Sequence, residues 1–218
     1  MSVDSSARKA KLFESLRSRL DDEGFAYRKQ KGWFLRRGAD STDFFQLVCL
    51  KSPGGWRIQP NVAVRIERVE EIFHRTSGFE ARYQKGTPTI GGSVGAITRT
   101  HNSDVEFRLE SDSDVVSVAE EILTLFRSIG LPYFERFHSI TAVDHELNDD
   151  PTRRTPHRAA PWLRCSTGLI VAKLINRPNY HALLDIYTQV LSRSDGGFYL
   201  SRFQALQQDL EALKESMA

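Results

Sequence analysis

Cys49 and Cys165 are the only cysteines in 218 residues. Two thiols this far apart give neither a disulfide framework nor a paired metal-knuckle spacing, so the fold must rest on its own core. Long apolar runs are missing too, and nothing approaches the roughly 18 consecutive residues a membrane-spanning helix needs. The opening stretch as far as Lys11 is polar where a secretory signal carries an apolar segment. A cytoplasmic location without a membrane partner is therefore expected. Charge of one sign is also lacking: 30 Lys and Arg stand against 28 Asp and Glu, a formal +2. That balance does not by itself announce an anionic partner.

The catalytic signatures are equally thin. The histidines His74, His101, His138, His145, His157 and His181 are scattered and form no His-Glu-x-x-His or comparable ligand pattern. The Asp144-His145-Glu146 cluster with Asp149 and Asp150 reads as a solvated helix end, so no metal and no cofactor is expected. Gly91-Gly92-Ser93-Val94-Gly95 has the glycines of a phosphate cradle. It lacks the Lys-Ser or Lys-Thr pair of a nucleotide loop, and residues 87–98 read as a strand relieved by glycine. Cys49 sits in an apolar run as a small core side chain, and Cys165 beside Arg164 is the one thiol in a setting that could lower its pKa.

What is present is a folding composition, 40% hydrophobic and 27% charged. Leu12, Phe13, Leu16 and Leu20 share one helical face, with Asp4, Ser5 and Ser6 offering cap oxygens and Gly24 a stop. From Phe25 to Glu67 the texture changes to aromatic and β-branched runs broken by Lys31-Gly32, by residues 38–41 and by Ser52-Pro53-Gly54-Gly55, which reads as four antiparallel strands. In the last of these, Ile58, Val62, Val64 and Ile66 alternate with Arg57, Gln59, Asn61, Arg65 and Glu67. Pro60 falls within it and places that stretch at an edge or a bulge.

Residues 69–77 read as a helix, and 105–110 as a sixth strand. Residues 112–129 carry a strong apolar stripe that Gly130 and Pro132 should close. Beyond Pro132 every periodic segment is helical, ending in the Phe203, Leu206, Leu210, Leu213 repeat beside a polar face that includes Lys214. The class is α+β: a mostly antiparallel sheet of about six strands flanked by helices, with an all-helical C-terminal layer. The expected domains are a sheet domain over 1–147, a linker or mobile loop over 148–161, rich in proline and charge, and the helical layer over 162–218.

Local charge is more informative than net charge. Residues 1–38 hold ten bases against five acids. Half of those bases, Arg28, Lys29, Lys31, Arg36 and Arg37, surround Trp33 and Phe34 in the first hairpin. Such a mixture can track phosphates and stack bases, or it can place its rings in the core and its charges along a solvated edge.

Over its first 137 or so residues the chain resembles the DUF4304-type family of uncharacterised bacterial proteins. The likeness lies in Gly24-Phe25 after the first helix, Lys31-Gly32-Trp33, Lys51-Ser52, Asn61-Val62-Ala63-Val64 and Gly130-Leu131-Pro132-Tyr133-Phe134. Leu50 stands where the family tends to have Gln, and Ala63 where it tends to have Gly. The resemblance implies an α+β fold without established enzyme activity, a link to bacterial conflict or immunity systems, and no catalytic residues.

The leading expectation is a non-catalytic protein-interaction module, an immunity or defence-associated binder, with Arg57, Gln59, Asn61 and Arg65 and the 148–161 loop as its partner surface. The alternative is a nucleic-acid-binding module using Arg28, Lys29, Lys31, Trp33, Arg36 and Arg37. A third is an enzyme assembled from Cys165, His138 and His145. With only about two heptads in its final segment, the chain is expected to dock that helix on itself and to be a monomer or weak dimer.

Overall fold

The computed structural model describes residues 2–98 and 105–213. Arg99, Thr100, His101 and the stretch from Lys214 onward lie outside the described residues. In chain order the elements are α1 (Ser2–Asp22), β1 (Ala26–Arg28), β2 (Trp33–Arg37), β3 (Ser41–Ser52), β4 (Gly55–Ile66), α2 (Glu67–Thr76) and α3 (Ala81–Gln84). There follow β5 (Ile90–Ser93), α4 (Val94–Thr98), β6 (Phe107–Leu109), α5 (Asp114–Leu125), α6 (Leu131–Phe137), α7 (Ile140–Asn148), α8 (Pro161–Leu174), α9 (Tyr180–Arg193) and α10 (Leu200–Ala212). The fold is α+β, as the sequence implies. It divides into two units, one of residues 1–64 with 91–136, the other of residues 65–90 with 137–218.

The first unit carries the sheet, ordered β1-β2-β3-β4-β5 with β6 also paired to β4. The β1–β2, β2–β3 and β4–β6 pairs are antiparallel. The alternation read from β4 places Ile58, Val62 and Val64 in the core. Pro60 lies between the stretch from Trp56 to Ile58 that pairs with β6 and the Val62-Ala63 stretch that backs onto Gly91. This is a gap between two short neighbours, which a residue with no N–H for a ladder can occupy. Leu12, Phe13, Leu16 and Leu20 of α1 are buried, as are Phe34 and Phe45 from β2 and β3. Phe126 meets Phe25 and Phe45 at 5.0 Å each, closing the α5 side.

Local chemistry departs from the sequence reading at three places in this unit. Helix α1 already runs from Ser2, so Ser5 and Ser6 lie inside it and do not cap it. The strand expected through residue 98 ends at Ser93, and Val94 to Thr98 form a short helix. Gly91 is needed because a Cβ there would stand 2.3 Å from the Ala63 Cβ, which makes the glycine run a close backbone approach. Gly130 and Pro132 do not end the long helix. A wide π turn over Phe126–Gly130 carries the chain from α5 into α6, with Leu131 N–H donating to the Phe126 carbonyl. That turn absorbs the donor that Pro132 lacks.

The second unit is helical. Val69, Ile72 and Phe73 of α2 are buried, as are Leu169 to Ala172 of α8, Leu183 and Tyr187 of α9, and Phe203, Leu206 and Leu210 of α10. Helix α10 packs on α2, α8 and α9. Residues 148–161, read from the sequence as a linker, lie inside this unit. Thr155, His157 and Arg158 are buried, and the Arg158 guanidinium donates to the Pro88 carbonyl at 2.6 Å. Pro161 opens α8 at a position where its missing N–H costs nothing.

Three helices of this unit are fastened by one buried polar group. Asn148 donates to Asp144 at 2.6 Å and to the Gly168 carbonyl at 2.9 Å, and the Tyr187 hydroxyl donates to Asn148 and to the Leu147 carbonyl. Arg177 closes the group by pairing with Asp144. Among the described residues, no helix is long and apolar enough to cross a membrane.

Candidate nucleic-acid interface

Strand pairing decides which hairpin residues reach solvent. Because Phe34 opposes Phe45 and Tyr27 across the ladder, its ring turns inward and is fully buried. Trp33 opposes Gln46 on the other side and stays half-exposed. The Lys31 ammonium lies 4.5 Å from the Trp33 ring centre, and the Phe44 ring meets Trp33 edge-on at 5.8 Å. Arg28, Lys29, Lys31 and Arg37 are exposed. Arg36 differs: its guanidinium donates to the buried Asp43 carboxylate at 2.9 Å and lies over the Phe25 ring at 4.8 Å. The pair with Asp43 ties β2 to β3 and leaves the Arg36 side chain about one-third exposed.

Between this hairpin, α1 and β3 lies a cleft of about 560 Å³. Lys9, Lys29 and Lys31 line it together with Tyr27, Trp33 and Cys49, and no Asp or Glu among the described residues does. The Tyr27 ring is fixed by stacking on Phe13 at 5.3 Å and on Phe34 at 4.9 Å. Burial holds its hydroxyl above the usual phenol range, with the Cys49 and Glu14 groups adding to the shift. Burial likewise pushes the Cys49 thiol up to about 11, against a small opposing pull from Lys9. At neutral pH the thiol is protonated, so the cleft presents three ammonium groups and aromatic surface and no nucleophile.

Sequence reasoning found Lys29, Lys31 and Trp33 but missed Lys9, Tyr27 and Cys49. One signal was available: Lys9 lies four residues before Phe13, a cation at the head of the apolar stripe of α1.

The residues expected to form a partner surface are separated by the fold. Arg57 is exposed, while Gln59 and Asn61 are half-buried. The Glu106 carboxylate takes both Arg57, at 3.5 Å, and Gln59, at 3.3 Å. Arg65 is enclosed in the second unit, where it donates to Glu67 at 2.8 Å and to the Gln84 and Thr87 carbonyls. Its alternation with Arg57 along β4 is real, but the strand passes into the other unit at that point. Arg57 instead lines a second cleft of about 400 Å³ with Lys51, Arg108 and Glu110.

The dispersed-enzyme residues do not form a reactive set. Cys165 is completely buried, and burial pushes its thiol up to about 12 despite Arg164 beside it. His138 is exposed, and the exposed His145 pairs with Asp149 one turn along α7. Among the described residues no group of three His, Cys, Asp or Glu side chains could hold a metal ion.

Around Glu70 the second unit buries a dense polar cluster. The Thr87 hydroxyl donates to Glu70 at 2.6 Å while accepting from Arg65 at 3.0 Å, and Thr89 donates to Glu70 at 3.0 Å. His74 lies between Ser77 at 2.9 Å and Thr87 at 2.7 Å, an arrangement a neutral ring satisfies with one donor and one acceptor. Burial, reinforced by Arg65, lowers its pKa to about 4. These groups satisfy one another. A further cleft of about 340 Å³ in this unit mixes Lys173 and Arg177 with Glu211.

Compared with family models, curated proteins and solved structures, the chain matches none.

Proposed function

We propose that the chain is a binding protein whose first unit takes nucleic acid in the cleft between α1, the β1–β2 hairpin and β3. The observation that carries this reading is the lining: Lys9, Lys29 and Lys31 share the cleft wall with Tyr27 and Trp33, with no carboxylate among the described residues there. Ammonium groups neutralise phosphates and release their counterions, while half-exposed rings offer surface to bases. Cys49 and Cys165 are both held as thiols, which favours binding over nucleophilic chemistry. The test is a titration with fluorescein-labelled single-stranded RNA and DNA at 50 and 200 mM salt. Binding that weakens steeply with salt supports the reading, and no binding at low salt removes it.

A protein partner is the second reading, favoured by exposed aromatic side chains in the other unit. Phe198 is 67% exposed and Tyr83 55%. Arg202 lies 6.0 Å from the Phe198 ring. Kinship with the DUF4304-type family and a defence role belong with this reading as proposals. A Phe198→Ser variant that folds but no longer captures a partner held by the unaltered chain would support it; capture by both alike would count against this surface.

A further inference from the structure

Two clefts of the first unit, the one between the hairpin, α1 and β3 and the one lined by Lys51 and Arg57, each place a lysine at the same tryptophan ring. Trp56 is buried, and its indole N–H donates to the Ser5 carbonyl of α1 at 2.8 Å, which fixes the ring. Lys9 lies 4.3 Å from the centre of that ring and Lys51 lies 5.8 Å from it. Lys9 lines the first cleft and Lys51 the second. One fixed ring therefore takes a cation from the lining of each cleft.

We propose that the clefts form one continuous basic track for an extended single strand of nucleic acid, running from Lys29 and Lys31 through Lys9 and Lys51 to Arg57 and Arg108. This rests on the reading of the first cleft given above and extends it to the length and form of the ligand. Strand β3 lies along both clefts, contributing Gln46 to Cys49 to the first and Lys51 and Ser52 to the second. At roughly 3.3 Å per residue, Gln46 to Ser52 spans about 20 Å. That length exceeds a mononucleotide and suits several linked nucleotides.

Two carboxylates pair with the arginines of the track. Glu106 faces Arg57 at 3.5 Å, and Glu110 faces Arg108 at 3.8 Å. Both separations are longer than a good charge-assisted hydrogen bond, and Arg57, Arg108 and Glu110 are exposed, so phosphate groups can compete for the guanidinium donors. A single strand is favoured over a duplex because Tyr27 and Trp33 can meet only bases whose faces are free.

The experiment compares oligothymidylates of three and twelve nucleotides, and a twelve-base-pair duplex, on the full chain and on the double variant Lys51→Glu/Arg108→Glu. Both substituted side chains are exposed, and unchanged thermal unfolding verifies the fold. The track requires the variant to bind the twelve-mer at least tenfold more weakly than the unaltered chain, with the three-mer changed less than twofold. The salt slope for the twelve-mer should fall by about 1.4, from about 0.7 for each of two lost phosphate contacts. Unchanged twelve-mer binding by the variant would overturn the track while leaving the first cleft standing. A duplex bound as tightly as the single strand would overturn the strand form. Failure of every oligonucleotide at low salt would remove the first-cleft reading and the track together.

Discussion

The Lys9 ammonium and the Trp56 ring, 4.3 Å apart, join the first turns of α1 to the start of β4. The contact has both a structural and a binding consequence. A cation over an indole contributes about 0.5–1 kcal/mol at a partly exposed site. Lys9→Gln should therefore lower unfolding stability in urea by no more than about 1 kcal/mol, while weakening oligonucleotide binding and reducing its salt slope. A large stability loss with unaltered binding would make Lys9 a purely structural residue.

Cys49 offers a probe that needs no mutation. Its thiol is half-buried in the first cleft with a pKa of about 11, whereas Cys165 is completely buried with a thiol at about 12. Only the thiolate is alkylated, so the rate at Cys49 should rise about tenfold per pH unit from pH 7 to 9 while Cys165 stays unmodified until unfolding. Bound single-stranded oligonucleotide should slow alkylation of Cys49. Mass spectrometry of iodoacetamide-treated protein reads both effects.

Gly168 is the most exacting position in the second unit. A Cβ there would stand 2.7 Å from both the Asn148 amide oxygen and the Tyr187 hydroxyl, two atoms already hydrogen-bonded to each other. Gly168→Ala should destabilise the unit by about 1–3 kcal/mol through overpacking, with further loss if the buried bonds part. Chemical denaturation is the measurement, and Asn148→Ala should destabilise in the same direction.

How much of this was legible follows from the range over which the chemistry acts. The α+β class, the alternation of Ile58, Val62 and Val64, and the basic character around Trp33 are local patterns, and all could be read directly. The fate of Arg65 could not, because period-two alternation says which side a residue faces and nothing about what covers that side. The same limit hid Lys9 and Lys51, which meet at Trp56 from separate elements. The continuation through Gly130 and Pro132 was missed because both are usual helix-ending signals and the π turn reconciles them.

His74 should give the second unit a pH response with a definite sign. Its pKa is about 4 in the fold against an ordinary 6.5, so the unfolded chain binds the extra proton between those values. The contribution of the neutral ring is complete above pH 6.5 and is lost as pH falls towards 4. Glu70, whose carboxyl burial holds above its usual range, acts oppositely, contributing stability below about pH 4.5 that is lost as pH rises. The stability difference between the unaltered chain and His74→Gln isolates the histidine. Measured in urea, it should shrink steadily from pH 6.5 to 4, and a constant difference would contradict the assignment.

The central claim is that nucleic acid occupies the cleft bounded by Tyr27, Trp33 and the three lysines. Ultraviolet cross-linking of a twelve-nucleotide oligothymidylate to the full chain, followed by peptide mass spectrometry, locates the contact directly. The account requires adducts on the peptides carrying Tyr27 and Trp33, suppressed by 0.5 M salt and by Lys29→Glu/Lys31→Glu. Adducts confined to the second unit, or none on the Tyr27 and Trp33 peptides while the oligonucleotide is bound, would contradict it.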